Sequence, residues 1–332
     1  MPGGVAAALA FAAAALVAAT LLPLGTWAVA VAGFGLWHVF AELRFVQLRY
    51  GKHLGGVVGG ALVGGLGVIV ALRLALLTSL LPVLPWSGGA TSLELALVAA
   101  LALVGAALAR RLGRVVWLAA LASAALVAGL TTAPTPTILL LAALHNLTPI
   151  GFLAEALPAN ERRRGLLVAS ALLLGVPALV ATGLPWQLAT AAGLGWPEAS
   201  LLDTSGLGAA IATTLPAGWL DPSAELHAFS ALLVAQLLHY AAVIHVLPRL
   251  TTTAMTTTTT EPATPALPWS MRLAMAAAIA GLFGLFVADF GVGRSVYGLF
   301  AAVHAWLELP LLLALLAPMV RHTAAPAQVP TP

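Results

Sequence analysis

Runs of about twenty consecutive apolar residues recur along this chain, and each is long enough to cross roughly 30 Å of hydrocarbon at about 1.5 Å per residue. Ten are read, at 4–24, 26–47, 57–82, 91–111, 114–133, 136–157, 165–185, 224–248, 269–290 and 295–319. Each must be a helix, because lipid offers no partner to an unpaired backbone amide. Of the 332 residues, 61% are hydrophobic and 8% charged, too few charges to cover a water-soluble domain of that size. The expected fold is therefore all-α, a polytopic integral membrane protein forming a single membrane domain over 1–332. No basic residue precedes the first run, which is read as a membrane helix and not as a cleaved signal peptide.

Basic residues fall on alternate loops, and cytoplasmic loops retain positive charge. Arg44, Arg49, Lys52, Arg110, Arg111, Arg114, Arg162, Arg163, Arg164, Arg249, Arg272 and Arg321 share one side; Arg294 lies on the other and Arg73 inside the third span. Ten spans with both termini in the cytoplasm satisfy this pattern, in a bacterial or archaeal cytoplasmic membrane. Arg73 is expected to snorkel or to line the interior. The excess of 14 Lys+Arg over 11 Asp+Glu is too small and scattered for nucleic-acid binding. Residues 184–223, with Trp186, Trp196, Trp219, Asp203 and Asp221, read as an outer-face loop or lid, and the Thr/Pro/Ala tract 251–268 as a disordered cytoplasmic linker. The glycines of the third span, Gly59, Gly60, Gly64 and Gly65 among them, suit close helix packing or movement.

With no cysteine in the chain, thiolate metal sites, disulfides and cysteine nucleophiles are excluded, and any metal must be held by nitrogen or oxygen. Four of the eight histidines, His38, His145, His239 and His304, lie on spans running in one direction, each about nine to fifteen residues in, which puts them near the bilayer midplane. Two carry a carboxylate one turn on, as His38-x-x-x-Glu42 and His304-x-x-x-Glu308. A carboxylate at that depth needs a partner, either an imidazole N–H or a metal. Neutral histidine is the commonest transition-metal ligand, and a carboxylate often orients its second nitrogen. The expected metal ligands are His38, His145, His239 and His304, with Glu42, Glu308, His245, Asn146 and Tyr240 as supporting groups or alternative ligands. Iron is the expected metal, with copper and zinc as alternatives. Interhelical hydrogen bonding without a metal, haem ligation and a proton path stay open. Pro149, four residues after His145, is expected to break the helix and free a backbone carbonyl, which Asn146 or Thr148 would satisfy.

The order of these elements resembles the bacterial Brp/Blh-type β-carotene dioxygenases. Their first motif, Gly-x-Pro-His-Gly-x-x-Asp, is similar to Gly35-Leu36-Trp37-His38 with Glu42, although Trp37 replaces the proline and Glu42 the aspartate. His145 looks like the family's single histidine on a later helix, and His304 with Glu308 like its last histidine-plus-acid helix. The family's His-x-x-x-His pair becomes His239 and His245, six apart, a departure that puts His245 in doubt. The resemblance implies a non-haem iron oxygenase acting on a lipid-soluble substrate such as a carotenoid. A proton or metal-ion transporter using the same groups is the rival, and a haem-binding electron carrier a third reading.

Overall fold

The computed structural model describes residues 2–78, 87–194, 204–212, 214–215, 220–250 and 268–316. Arg321, His322, Trp196, Trp219, Asp203 and all but the last residue of the tract 251–268 lie outside the described residues, as does much of the expected lid.

Helices account for nearly everything described, and no strand occurs among the described residues. In chain order they are α1 (Pro2–Leu21), α2 (Pro23–Val29), α3 (Leu36–Tyr50), α4 (Gly56–Leu77), α5 (Ser87–Arg111), α6 (Val116–Thr132), α7 (Pro134–His145) and α8 (Thr148–Ala156). There follow α9 (Ala159–Ser170), α10 (Val176–Ala181), α11 (Leu184–Ala191), α12 (Thr204–Ala212), α13 (Pro222–Ala241), α14 (Trp269–Ala288) and α15 (Phe290–Leu316). Wider π turns at Ala30–Gly35, Ala171–Gly175 and Ala242–Val246 continue α2 into α3, α9 into α10, and α13 onward.

Seven of these helical stretches are long and apolar enough to cross a membrane: 23–53, 56–77, 93–111, 159–181, 222–250, 269–288 and 290–315. The pair α7 and α8, bent by 42° at its break, makes an eighth if it is one span. The other two expected spans correspond to α1, apolar over Val5–Leu21, and to the 17-residue apolar helix Val116–Thr132.

Helix α15 is the hub, packing against α3, α4, α5, α6, α8 and α14. Lipid tails are as apolar as leucine, so close approach and polar contacts must hold such helices together. At Gly105 of α5, a Cβ would lie 3.1 Å from the Pro310 carbonyl oxygen and 3.1 Å from Leu313 Cβ, so the absence of a side chain lets the two backbones meet. The glycines of α4 do less: a Cβ at Gly60 or Gly64 would stand in open space, and only Gly65 meets a neighbouring helix closely, at Leu101.

Arg73 does not stand alone. Its Nε donates to both Glu94 carboxylate oxygens at 3.1 Å, Nη2 donates to Oε1, and Nη1 donates to Gly298 O at 2.7 Å. Trp306 Nε1 reaches the same carboxylate at 3.3 Å, so the pair clamps α4 and α5 onto α15. At the arginine-rich end, Glu155 pairs with Arg114 at 2.9 Å and Arg49 at 3.9 Å. Asp221 caps α13, its Oδ1 accepting from the Ser223 and Ala224 N–H groups. The Ser223 hydroxyl and these amides hold its carboxyl below the ordinary aspartate range.

Candidate metal centre

Four separate stretches of helix bring one imidazole each to a common point. His38 sits on α3 just after the first π turn, His145 is the last residue of α7, His239 lies near the end of α13 just before another π turn, and His304 is on the hub α15. Ring centroids lie 4.5 Å apart for His38 and His304, 4.8 Å for His145 and His239, 5.0 Å for His145 and His304, and 5.3 Å for His38 and His239. His38, His239 and His304 are at most 2% exposed. The His145 side chain is 22% exposed, because α7 buries none of its residues and packs mainly on α6.

Backbone geometry orients the rings. The π turn ending at Gly35 presents a carbonyl to His38, whose Nδ1 donates to Gly35 O at 2.6 Å; a carbonyl cannot donate, so the proton is on Nδ1 and Nε2 is a bare lone pair. His145 Nδ1 lies 2.7 Å from Glu308 Oε2, a contact that favours the same tautomer. His304 has the carbonyls of Phe300 and Ala301, one turn back, beside its ring. The Nε2 atoms of the three rings gather together: His304 Nε2 lies 2.9 Å from His38 Nε2, to which it can donate when its proton is on that nitrogen, and 3.3 Å from His145 Nε2. Metal–nitrogen bonds of about 2.1 Å at angles of about 90° and 110° separate ligand atoms by roughly 3.0 and 3.4 Å, so this spacing fits one ion.

Two groups of ligand atoms, each within 4.8 Å of one another, can hold a metal ion: His38, His145 and His304, and His38, Glu42 and His239. Because His38 Nδ1 is committed to Gly35, its single free nitrogen cannot serve two ions at once. The groups therefore describe one centre with several potential ligands.

The carboxylates do not pair with the histidines on their own helices. Glu308 reaches across to His145, and Glu42 Oε2 lies 3.7 Å from His239 Nε2. Both residues are at most 1% exposed, and no aligned hydrogen bond reaches any of their four oxygens.

The expected break at Pro149 is present, but Asn146 does not satisfy the carbonyl it frees. Asn146 Nδ2 donates instead to Ala142 O at 3.1 Å, and the buried Thr148 hydroxyl has no partner. Neither nitrogen of the His239 ring has an aligned hydrogen bond. His245 is exposed and stands apart from the cluster. It lies within the π turn Ala242–Val246, and neither group of potential metal ligands includes it.

Tyr240 stacks on His38 with centroids 3.9 Å apart at 27°, and its hydroxyl meets that of Tyr297 at 2.7 Å while accepting from Gln236 Nε2. Tyr297 packs on Gly35 so closely that a Cβ there would lie 2.6 Å from its ring. Tyr297 and Gln236 carry a signal that reading the histidines alone overlooks. Tyr297 is seven residues before His304 and Gln236 three before His239, spacings that share a helical face with the histidine.

Compared with protein-family models, curated proteins and solved structures, the chain matches none.

Proposed function

We propose that this chain is an integral membrane metalloprotein, its ten spans leaving both termini in the cytoplasm of a bacterial or archaeal cell. Its histidine centre holds one transition metal, iron first, for oxidation of a lipid-soluble substrate such as a carotenoid. The observation that carries the reading is the convergence of His38, His145 and His304 through Nε2 atoms 2.9 and 3.3 Å apart, two of the rings having their Nδ1 atoms turned to Gly35 O and Glu308. Imidazole nitrogens gathered within ligand distance of one point suit a shared cation. The donors are nitrogen and oxygen with no sulfur, which suits iron, copper or zinc.

Ferrous iron bound there would supply the activation of dioxygen. The protein's own part is to hold the imidazoles in one tautomer, to keep water from three of the four, and to leave the fourth within reach of lipid. His145, at the break between α7 and α8, is the side on which an apolar substrate approaches. The similarity of Gly35 through Glu42, His145, and His304 with Glu308 to the carotene dioxygenase motifs supports the same substrate class. Rings in mutual contact leave no slot for a porphyrin, which disfavours haem.

The test is aerobic turnover in nanodiscs. Protein loaded anaerobically with ferrous iron and supplied with β-carotene should consume dioxygen and bleach the polyene when air is admitted, whereas zinc-loaded protein and H304A should not. Metal-loaded protein that consumes no dioxygen with any polyene, yet carries protons or metal ions across proteoliposomes, would replace this reading with a transporter.

A further inference from the structure

The two carboxylates at the centre occur in identical sequence settings, His-x-x-x-Glu-Leu, but their surroundings differ. Glu308 Oε2 lies 2.7 Å from His145 Nδ1, a distance suited to an N–H···O contact. It touches the nitrogen that points away from the gathered Nε2 atoms, so it can orient the ring but cannot share the ion through that contact. Glu42 Oε2 lies 3.7 Å from His239 Nε2, too far for a hydrogen bond. Yet two ligand bonds of about 2.1 Å opening at about 120° place their outer atoms roughly 3.6 Å apart. The ligand atoms of Glu42, His239 and His38 also lie within 4.8 Å of one another.

Solvation points the same way. Glu42 is wholly buried and, like Glu308, has no aligned hydrogen bond on either oxygen, but the ring that it faces differs: neither nitrogen of the equally buried His239 has a partner. Two adjacent polar groups left bare at membrane depth are costly unless something joins them. A divalent ion facing Glu42 and Glu308 would also bring the formal charge of the centre to zero.

We propose that Glu42 is a direct ligand of the ion, together with His239 and the three converging histidines, whereas Glu308 is a positioning residue that acts through His145. This assignment rests on the metal-centre reading above and makes the two motifs chemically unequal. It also gives the ion one anionic donor, which selects for a harder metal than four imidazoles alone would.

Cobalt(II) substitution separates the roles, because its visible ligand-field bands report donor type and coordination number. Purified full-length protein in nanodiscs is titrated with cobalt(II) as wild type, E42Q and E308Q, with size exclusion and circular dichroism establishing that each is folded. Wild type and E308Q should share band positions, E308Q binding about 10- to 100-fold more weakly, the usual cost of losing an outer partner. E42Q should shift the bands and change their intensity, and E42D should restore the wild-type pattern in part. Unaltered bands in folded E42Q, or a larger shift in E308Q than in E42Q, would overturn the assignment. If E42Q does not fold, E42D against E308Q decides by the same criterion. Failure of wild type to bind cobalt, iron or zinc would instead remove the metal-centre reading itself.

Discussion

Breaking the Arg73–Glu94 pair should destabilise the protein by far more than an ordinary surface ion pair would. The guanidinium gives three contacts to the carboxylate and one to Gly298 O, and Trp306 adds a further donor to Glu94. Their side chains are 31% and 17% exposed, on helices that meet lipid. Removing Glu94 strands a guanidinium on a membrane helix, for which insertion scales give about 2.5–3.5 kcal/mol at midplane. Arg73 is near the end of α4, so the cost of E94A should be nearer 2 kcal/mol. R73A should cost about the same, since it leaves a carboxylate with only an indole partner. The double variant loses both charges and should fall short of the sum by about 1–2 kcal/mol. Reversible unfolding in mixed micelles, titrated with SDS, measures all four proteins. Additivity within about 0.5 kcal/mol would refute the argument that the two charges satisfy each other.

A methyl group at Gly35 would collide with Tyr297 2.6 Å away, so G35A should lower stability by about 1–3 kcal/mol in the same unfolding assay. Y240F keeps the stack on His38 but loses the hydroxyl's contacts to Tyr297 and Gln236. It should cost about 1.2 kcal/mol, about 0.6 kcal/mol for each bond as is average inside membrane proteins, while leaving metal affinity unchanged by calorimetry. H245A should leave metal affinity unaltered because the side chain is exposed and apart from the centre. H304A removes the nitrogen that lies within 3.3 Å of two others and should abolish tight binding in the same titration.

The meeting of the histidines was legible in the sequence because depth is a matter of counting residues. With a fixed rise per residue, spans running the same way carry His38, His145, His239 and His304 to one level, and the structure brings their rings together. The partners of Glu42 and Glu308 were not legible. Sharing a face with His38 or His304 says nothing about which neighbouring helix that face meets, and both carboxylates turn to histidines on other helices. Pro149 announced the break after His145, since it has no N–H to give, but not that Asn146 would donate to Ala142 O instead of to the carbonyl so freed. The π turns beside His38 and His239 leave no trace in residue type, yet one of them delivers the Gly35 carbonyl that settles the His38 tautomer. The span count shows the limit of hydropathy: the stretch read as the fifth span forms an apolar helix of 17 residues, Val116–Thr132.

Metal analysis of protein purified without chelators tests the central claim most directly. The account predicts about one transition-metal ion per chain, retained through gel filtration and reduced to below about a tenth in folded H38A, H145A and H304A. A folded wild-type protein that carries no transition metal, and takes up none when iron, copper or zinc is added, would contradict it.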